Sequence, residues 1–304
     1  MRTIYSIGET TYDIIFKDNQ PTAGVVGGSA LNAAVSLGRA GLDIYFLSRF
    51  GNDLIGNISE KFLKENHVNC DYIKRFDGQS RIALAFLDRQ NNARYQFYQS
   101  NQMPKLSFPE VKENDFVLFG SLNALNNRCR NDLIRFLKKA AKKKAIIVYD
   151  PNIRNFASSE KPDIIAKVEE NIRLSTIIKG STEDFTTLYG NHYEKILQSI
   201  VKDSNEKVIL ITNGKNPVRV ITHSFAEEIE TKEIETVSTI GAGDNFNAGV
   251  IYGLHKKEIA TRNISSLSAQ DWRQIVHYGS KFAANVCSST TNYISNDFAA
   301  SLNK

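Results

Sequence analysis

The sequence predicts an α/β protein with a doubly wound, mostly parallel sheet, helices on both faces and a small β-sheet lid. First, apolar strands and amphipathic helices alternate from Phe116 onward, which is typical of a parallel sheet covered by helices. Second, residues 70–100 contain successive short strands without a helix, which indicates an antiparallel sheet. Third, two glycine-rich segments, 27–28 and 241–243, each precede an apolar-periodic run, as loops that open helices do.

The individual elements follow from apolar periodicity and from turn residues. Strands are expected at residues 3–7, 12–16, 44–47, 70–74, 81–87, 93–98, 116–119, 145–149, 176–178, 208–211 and 218–221. Helices are expected at residues 29–37, 54–65, 130–143, 163–174, 193–202 and 269–287, with another after Asp244. We expect a single domain over residues 1–304. Two excursions, near 10–24 and 70–100, would form a lid over the carboxyl edge of the large sheet, where ligands bind in such folds.

Composition and charge narrow the function classes. The chain has 304 residues, is 41% hydrophobic and 23% charged, and carries a formal charge of +5. This balance is ordinary for a globular protein, and the basic run at 138–144 is typical of a solvated helix end. We therefore expect no nucleic-acid partner. No apolar run approaches the ~20 residues that span a bilayer, so no membrane partner is expected.

The cysteines and the start of the chain bear on location. Cys70, Cys129 and Cys287 are far apart and odd in number, which argues against a zinc site and a disulfide framework. The first residues lead directly into a strand, so no signal peptide is expected. The expected location is a reducing cytoplasm.

The late loop Thr239-Ile240-Gly241-Ala242-Gly243-Asp244 indicates phosphoryl transfer. Small residues let the backbone approach an anion, and the first amides of a helix have no partner within it. A carboxylate just behind them can accept a proton from a nucleophile aimed at that anion. The alternative is an ordinary helix start, since an acid is also favoured in the first turn.

The early loop Gly27-Gly28-Ser29-Ala30-Leu31-Asn32 and the acid Asp13 suit a polyol. The loop lacks the spacing of a P-loop or a dinucleotide fingerprint. Asn32 can donate to and accept from hydroxyls, and Asp13 within an apolar strand needs a partner if it is buried. The alternatives are a packing diglycine with a surface Asn32, and an Asp13 that faces solvent.

Three further candidates follow predicted strands, at the edge where ligands bind. Asp150-Pro151-Asn152-Ile153-Arg154 offers a carboxylate, an amide and a cation that could stabilise a phosphoryl group, or else only a turn. Ser181 and Asp184 predict either a capping box or a water-mediated magnesium site. Thr212-Asn213-Gly214 predicts a contact with nucleotide phosphate, or a plain turn.

Together these segments resemble the ribokinase-like, or PfkB, carbohydrate kinase family. The segments Gly27-Gly28-x-x-x-Asn32 and Gly241-Ala242-Gly243-Asp244 match its two signatures in the right order and separation. The resemblance covers essentially the whole chain. Asp150-Pro151-Asn152-x-Arg154, Arg94-Tyr95-Gln96-Phe97-Tyr98 and the segment at 50–56 are most similar to the fructokinase branch.

The resemblance implies ATP-dependent phosphorylation of the primary hydroxyl of a sugar, with fructose as the expected acceptor. It assigns the role of the base to Asp244, and it assigns the anion hole to the backbone amides of Gly241, Ala242 and Gly243. The residues it assigns to the sugar are Asp13, Gly27, Gly28, Asn32, Arg94 and Arg154.

The resemblance also implies ATP and Mg²⁺ as cofactors and a homodimer formed through the lid. The residues it assigns to the nucleotide are Ser181, Thr212, Gly214, Gly241 and Gly243, and it places Asp184 near the metal through water. Exposed apolar strand edges in the lid favour the same dimer.

The sequence departs from the family pattern at several positions. Ser238 replaces an expected aspartate, Ser181-x-x-Asp184 replaces Asn-x-x-Glu, and Pro217 replaces a glycine. A usual glycine is also missing near 290–292. The resemblance implies that many members bind a monovalent cation in the region of the first and the last of these departures, so we expect activity that is nearly independent of added potassium.

Other substrates and another class of protein stay open. A kinase of 2-keto-3-deoxygluconate would need cationic donors, which Arg81, Arg94 or Arg154 could supply. Ribose is a further acceptor to consider. A non-catalytic, sugar-responsive regulatory protein is the alternative of another class, motivated by the departures and opposed by the intact Asp244 loop.

Overall fold

The computed structural model of the chain describes residues 2–88, 93–100, 103–153, 156–204, 206–231 and 234–302. Its strands are, in chain order, β1 (Ile4–Ile7), β2 (Thr11–Lys17), β3 (Gln20–Gly27), β4 (Ile44–Gly51), β5 (Ile73–Phe76), β6 (Ile82–Leu87), β7 (Ala93–Tyr98), β8 (Phe116–Gly120), β9 (Ile146–Asp150), β10 (Ile177–Ser181), β11 (Val208–Asn213), β12 (Asn216–Ile221) and β13 (Ala226–Ile229). Its α-helices are α1 (Ser29–Arg39), α2 (Leu54–Glu65), α3 (Ser121–Leu125), α4 (Asn127–Lys142), α5 (Lys161–Leu174), α6 (Thr182–Tyr189), α7 (Tyr193–Asp203), α8 (Ala242–Lys256), α9 (Ala269–Cys287) and α10 (Asn296–Ser301).

The large sheet contains nine of the described strands, in the order β13-β12-β11-β10-β9-β8-β1-β4-β5. Neighbouring strands from β11 to β5 pair in parallel, and only the β11–β12–β13 edge is antiparallel. The doubly wound, mostly parallel sheet expected from the alternation of strands and helices is therefore confirmed.

Two hydrophobic cores lie on opposite faces of this sheet. In β9, Ile146 and Val148 face the core that contains residues of α1, α8 and α9, whereas Ile147 and Tyr149 face the core that contains residues of α4 to α7. This division follows from the two-residue period of a strand, and it explains why β9 is buried at every position. The predicted helices on both faces are thus observed.

The small sheet has the strand order β3-β2-β6-β7. The β2–β3 and β6–β7 pairs are antiparallel, but β2 and β6 pair in parallel, so the sheet is mixed rather than antiparallel. A tight hairpin makes the two strands that it joins run antiparallel. Strands β2 and β6 are instead joined through a long stretch that includes helices and strands of the large sheet, so they can pair in parallel.

The predicted lid excursion at 70–100 is wrong in its first part. The strand lies at Ile73–Phe76 instead of 70–74, and it pairs in parallel with β4 at the edge of the large sheet. It follows helix α2, and a strand that returns after a helix adds in parallel to the strand before that helix. The lid strands are therefore β2, β3, β6 and β7.

The other differences concern short or atypical elements. Strand β3 was not among the expected strands. It contains Pro21 and Gly24, and its first five residues are exposed. A proline is compatible with β3 because this strand is at the edge of the sheet. The short helices α3 and α10 were not predicted, and most other boundaries differ by one to three residues.

In the described part of the chain, no helix is both long enough and apolar enough to cross a membrane.

Candidate active site

Helix α8 begins at the late glycine-rich loop, and its first turn has the form of an anion site. Gly241 has a φ of 79°, and a Cβ atom there would lie 2.8 Å from the carbonyl oxygen of Asn292, so only glycine fits. No side chain caps this helix among the described residues, which leaves first-turn amides for an external anion. The amide of Ala242 is the least available, because it donates to the carbonyl oxygen of Thr239 at 3.2 Å.

Asp244 connects the two glycine-rich segments. Its side chain is only 9% exposed. One carboxylate oxygen accepts from the Ser29 hydroxyl at 2.5 Å and the other accepts from the Asn32 amide at 2.8 Å. The acid proposed as a base therefore lies against the start of α1, where the sugar-binding residues were expected. Ser29 was not predicted as a partner, since no local pattern reveals a contact between residues 215 positions apart.

Two buried oxygen atoms, one on Asn32 beside this acid and one on Asp13 of the lid strand β2, lack a partner among the residues that the structure describes. Among the described residues, Oδ1 of Asn32 and Oδ1 of Asp13 are buried without a hydrogen-bond donor. Burial raises the pKa of Asp13, and a hydrogen bond from Thr11 only partly opposes this. Buried acceptors of this kind are normally satisfied, so the geometry suits a ligand that brings hydroxyl donors.

The glycines of the early loop allow this close arrangement. Gly28 has a φ of 129°, and a Cβ atom there would lie 2.5 Å from the carbonyl oxygen of Glu9. A Cβ atom at Gly27 would lie 3.0 Å from Oδ2 of Asp13. Both glycines therefore bring the lid strand β2 against the start of α1. Packing alone accounts for them, and their predicted contact with the sugar stays a prediction.

A buried polar cluster lies at the carboxyl ends of β9 and β10. The Lys179 ammonium donates to Oδ2 of Asp150 at 3.0 Å, and the Asn247 amide donates to the same oxygen at 2.6 Å. Asp150 was predicted at this edge, but Lys179 and Asn247 were not assigned a role. The available signal was a lysine at the end of an otherwise apolar strand. Arg154, predicted to contact the sugar, lies outside the described residues.

Ser181 and Asp184 form the capping box of helix α6. Oδ2 of Asp184 accepts from the Ser181 amide and hydroxyl, each at 2.7 Å, and the Ser181 hydroxyl accepts from the Asp184 amide. Oδ1 of Asp184 accepts from the Ile153 amide at 2.7 Å. Both carboxylate oxygens thus already have protein partners. The described residues contain no cluster of three or more side chains that could hold a metal ion directly.

The other nucleotide candidates lie on the adjacent strand. Thr212 in β11 is the register partner of Ser181 in β10, so these two predicted residues are neighbours. Gly214 follows with a φ of 56°, which makes it a turn residue that requires glycine. The sequence prediction therefore places these residues correctly at one edge, while their contact with a nucleotide stays a prediction.

The lid does not bring Arg94 to the buried site. In the lid sheet, Asp13, Ala83 and Phe97 are in register and share a face, whereas Arg94 is paired with Phe86 on the opposite face. Arg94 is also exposed. The prediction that it contacts the sugar has no support within one chain, because alternation along β7 turns it away from Asp13.

Arg81 lies on the same lid face as Asp13, but its charge is already paired. Its guanidinium forms an ion pair with Glu9 and lies 4.5 Å from the ring centroid of Phe97. Burial lowers the pKa of Arg81. The lid face above Asp13 therefore carries a neutralised cation and an aromatic ring.

Comparison with known proteins gives a family match over nearly the whole chain. The model of the pfkB family carbohydrate kinases matches residues 1–298. A probable chloroplastic fructokinase-6 of Arabidopsis thaliana is 29% identical over 239 residues, which cover 74% of this chain and 61% of that protein. The fructokinase of Rhizobium leguminosarum bv. trifolii is 27% identical over 282 residues, which cover 89% of this chain and 85% of that protein.

Solved structures share the fold at lower sequence identity. Fructokinase from Vibrio cholerae O395, with fructose, ADP and calcium ion bound, superposes with a TM-score of 0.83 and 20% identity, covering 96% of this chain and 94% of that chain. Aminoimidazole riboside kinase from Salmonella enterica gives a TM-score of 0.79 and 18% identity, covering 99% of each chain. These likenesses establish the fold expected from the sequence.

Proposed function

Because the chain belongs to the pfkB family of carbohydrate kinases, we propose that it transfers the γ-phosphoryl group of ATP to a primary hydroxyl of fructose. One observation carries the proposal. The Asp244 carboxylate lies at the start of a helix that no described side chain caps, and it accepts from Asn32, whose own oxygen is buried without a partner among the described residues. An acid, an anion site and a hydroxyl acceptor therefore meet at one point.

In this proposal each side of the site has its own task. Asn32 and Asp13 accept hydrogen bonds from the hydroxyl groups of the sugar and fix its orientation. Asp244 aligns the reacting hydroxyl and takes its proton, while amides of Gly241, Ala242 and Gly243 bind the transferred group. Because the transition state of phosphoryl transfer is loose, positioning and charge stabilisation contribute more than proton abstraction.

The nucleotide and its metal belong to the neighbouring edge of the sheet. We assign the contacts with ATP to Ser181, Thr212 and Gly214. The two carboxylate oxygens of Asp184 already accept three hydrogen bonds from the protein, so Asp184 fits Mg²⁺ only through water. Mg²⁺ is often held through water and substrate phosphates in this way, and it would neutralise charge on the nucleotide.

A neutral sugar fits this site better than a sugar acid. A carboxylate substrate such as 2-keto-3-deoxygluconate would need an unpaired cation. Arg81 is paired with Glu9, and Arg94 lies on the other face of the lid from Asp13. The curated relatives named above as fructokinases support fructose over ribose. A non-catalytic binding protein would give no reason for Asp244 to occupy this position.

The test is an ADP-release assay over fructose, ribose, 2-keto-3-deoxygluconate and adenosine. We expect fructose to give the highest kcat/KM. Asp244→Asn keeps the size of the side chain and removes the base, so its turnover should fall by about 10²–10⁴-fold. Turnover of none of the acceptors would favour the binding protein, and comparable turnover by the Asn variant would remove Asp244 as the base.

The remaining expectations concern assembly and location. We propose that the chain forms a homodimer through the lid and acts in the cytoplasm on free monosaccharide and ATP. The unpaired state of Cys70, Cys129 and Cys287 is compatible with a reducing compartment.

A further inference from the structure

Lys179 is a buried cation for which the proposed reaction has so far given no role. Its side chain is only 6% exposed, and its ammonium donates to Asp150 at 3.0 Å. An ammonium has three N–H donors, and within the described part of the chain Lys179 donates only this one hydrogen bond. Two donors therefore remain for another acceptor.

The ammonium is directed at the anion site. A Cβ atom at Gly243 would lie 2.8 Å from Nζ of Lys179, so the lysine lies against the second residue of helix α8. Gly243 has no left-handed conformation that would require glycine, and glycine is less favourable than alanine within a helix. The absence of a Cβ atom at Gly243 leaves room for the ammonium at this place.

The surrounding charges keep Lys179 protonated in this position. Burial alone would lower its pKa, but the carboxylates of Asp150, Asp184 and Asp244 raise it above the ordinary value. A cation at the positive end of a helix is unfavourable in itself. The ammonium and the start of helix α8 thus place two sources of positive charge at one point. This arrangement suits an anion with several charges, such as a phosphoryl group.

We propose that Lys179 binds the transferred phosphoryl group and that Asp150 and Asn247 hold its ammonium beside Gly243 for this purpose. The inference rests on the proposed kinase function and adds a residue to it. The hydroxyl oxygen of the sugar forms a bond to the γ-phosphorus, and the bond to the bridging oxygen breaks and leaves with ADP. The proton of the hydroxyl goes to Asp244. Lys179 keeps its protons and donates to non-bridging oxygens of the moving group throughout.

The first test measures nucleotide binding without any turnover. The dissociation constants of ADP and of the β,γ-imido analogue of ATP, both with Mg²⁺, are compared in the wild type and in Lys179→Met. We expect the wild type to prefer the analogue and the variant to lose about 10-fold or more of that preference, as for hydrogen bonds between charged groups. Equal weakening of both nucleotides, or a wild type with no preference, would overturn the proposal.

Lys207 provides a matched control. It is another part-buried lysine, which donates to the carbonyl oxygens of Arg173 and Ser175 at 3.0 and 2.8 Å, at the opposite end of β11 from Thr212. Lys207→Met should lower the melting temperature and leave the nucleotide preference unchanged. If Lys207→Met reduced the preference as much as Lys179→Met, the effect would not belong to the anion site.

A double variant separates the proposed role from a structural one. Lys179→Met leaves the buried Asp150 without its ion-pair partner, so the single variant can lose stability. The double variant Lys179→Met, Asp150→Asn removes both charges and should recover the melting temperature. We expect its kcat for the best acceptor to stay about 10²–10³-fold below the wild type, as on loss of one transition-state donor. Recovery of kcat together with stability would show that Lys179 is only structural.

The same experiments distinguish the two proposals. If no sugar is phosphorylated but the wild type still prefers the analogue in a manner that depends on Lys179, the kinase proposal fails and the phosphoryl contact stands. If a sugar is phosphorylated with unchanged kcat and nucleotide preference in the variants, the contact fails and the kinase proposal stands.

Discussion

At the scale of single residues, the burial of the Asp13 carboxylate lowers the stability of the folded state, and a bound sugar would offset this loss. Its Oδ1 is buried without a partner among the described residues, and burial raises its pKa. The unfolded chain leaves this carboxylate in water, so its charged form is desolvated in the folded state alone. A group with a raised pKa in the folded state gains stability as the pH falls through that pKa toward the unfolded value.

We therefore predict opposite effects of Asp13→Asn on stability and on activity. Without sugar, the variant should melt at a higher temperature than the wild type at pH 7, and this difference should shrink as the pH falls toward about 4. The KM for fructose should rise by about 10–100-fold, since charged acceptors are lost. Thermal melts over a pH series and steady-state kinetics measure both effects.

Fructose provides the internal check on this prediction. A ligand that binds only the folded state raises its stability by mass action, so fructose should raise the melting temperature of the wild type far more than that of the variant. Asp18→Asn is a suitable control, because Asp18 lies exposed in the β2–β3 turn and should change neither quantity. An unchanged KM in Asp13→Asn would remove Asp13 from the sugar site.

The residues predicted from sequence are those that belong to a local pattern. Asp244 and Asn32 are each the polar residue of a glycine-rich segment, and the structure joins them at 2.8 Å. Ser29, Lys179 and Asn247 could not be assigned, because their contacts join elements 29 to 215 positions apart along the chain. Arg94 lies on the lid face opposite Asp13, and periodicity could not show this, because it gives the alternation of a strand but not which face covers the site.

At the scale of elements, the start of α8 is fixed to the loop at 288–295 by Asn245. This fully buried amide donates to the carbonyl oxygens of Gly241 and Asn292, each at 2.8 Å, and accepts from the Ser36 hydroxyl. Ser36 in turn accepts from the Ile294 amide. The anion loop, α1 and the loop at 288–295 are therefore held together by protein hydrogen bonds.

This arrangement supports the prediction that activity is nearly independent of added potassium. A monovalent cation is bound by oxygen atoms, and here the side chain of Asn245 already satisfies two carbonyl oxygens of this region. Ser238 also brings no negative charge, and its hydroxyl accepts from the Ile240 amide. We expect turnover in potassium chloride to match that in choline chloride at equal ionic strength within about 2-fold, since screening is then the same.

Asn245→Ala makes the prediction sharper. The variant removes the side-chain donor from two part-buried carbonyl oxygens, so that of Asn292 loses this bond and that of Gly241 keeps the backbone amide of residue 245. We therefore expect kcat to fall and any potassium dependence to appear only in this variant. Strong stimulation of the wild type by potassium over choline would contradict the prediction and would indicate a cation site that Asn245 does not replace.

Element type was easier to predict than element placement. Helices α2 and α9 agree with the sequence prediction at both ends, because each has a clear apolar face and a capping residue, Asp53 and Ser268 respectively. Strand β5 was assigned to the wrong sheet, since a short apolar strand carries no record of its partner. Sheet membership is decided by long-range pairing, which depends on the return of the chain after α2.

At the scale of the whole molecule, the lid has two faces of different character. The face that carries Asp13 also carries Arg81 and Phe97 over the site. The other face, here called the outer lid face, carries the apolar or aromatic residues Ile14, Phe16, Leu84, Phe86 and Tyr98 together with the polar Gln96 and Arg94. Phe16 and Phe86 stack at 4.8 Å, and Phe86 and Tyr98 are 36% and 50% exposed.

The outer lid face supports the predicted homodimer. An apolar sheet face with two open edge strands, β3 and β7, is a surface that proteins usually cover. We predict that light scattering of the wild type gives twice the mass of the chain. Phe86→Glu places a carboxylate on this face between Phe16 and Arg94, where a docked second copy would desolvate it, so at the same concentration the variant should be monomeric.

A surface change elsewhere provides the control for this prediction. Leu54 at the start of α2 is 79% exposed and lies outside the lid, so Leu54→Glu adds the same charge and should leave the dimer intact. Both variants should keep the wild-type melting behaviour of a folded chain, because each altered side chain is exposed. A monomeric wild type would refute the dimer, and a dimer that survives Phe86→Glu would place the interface on another surface.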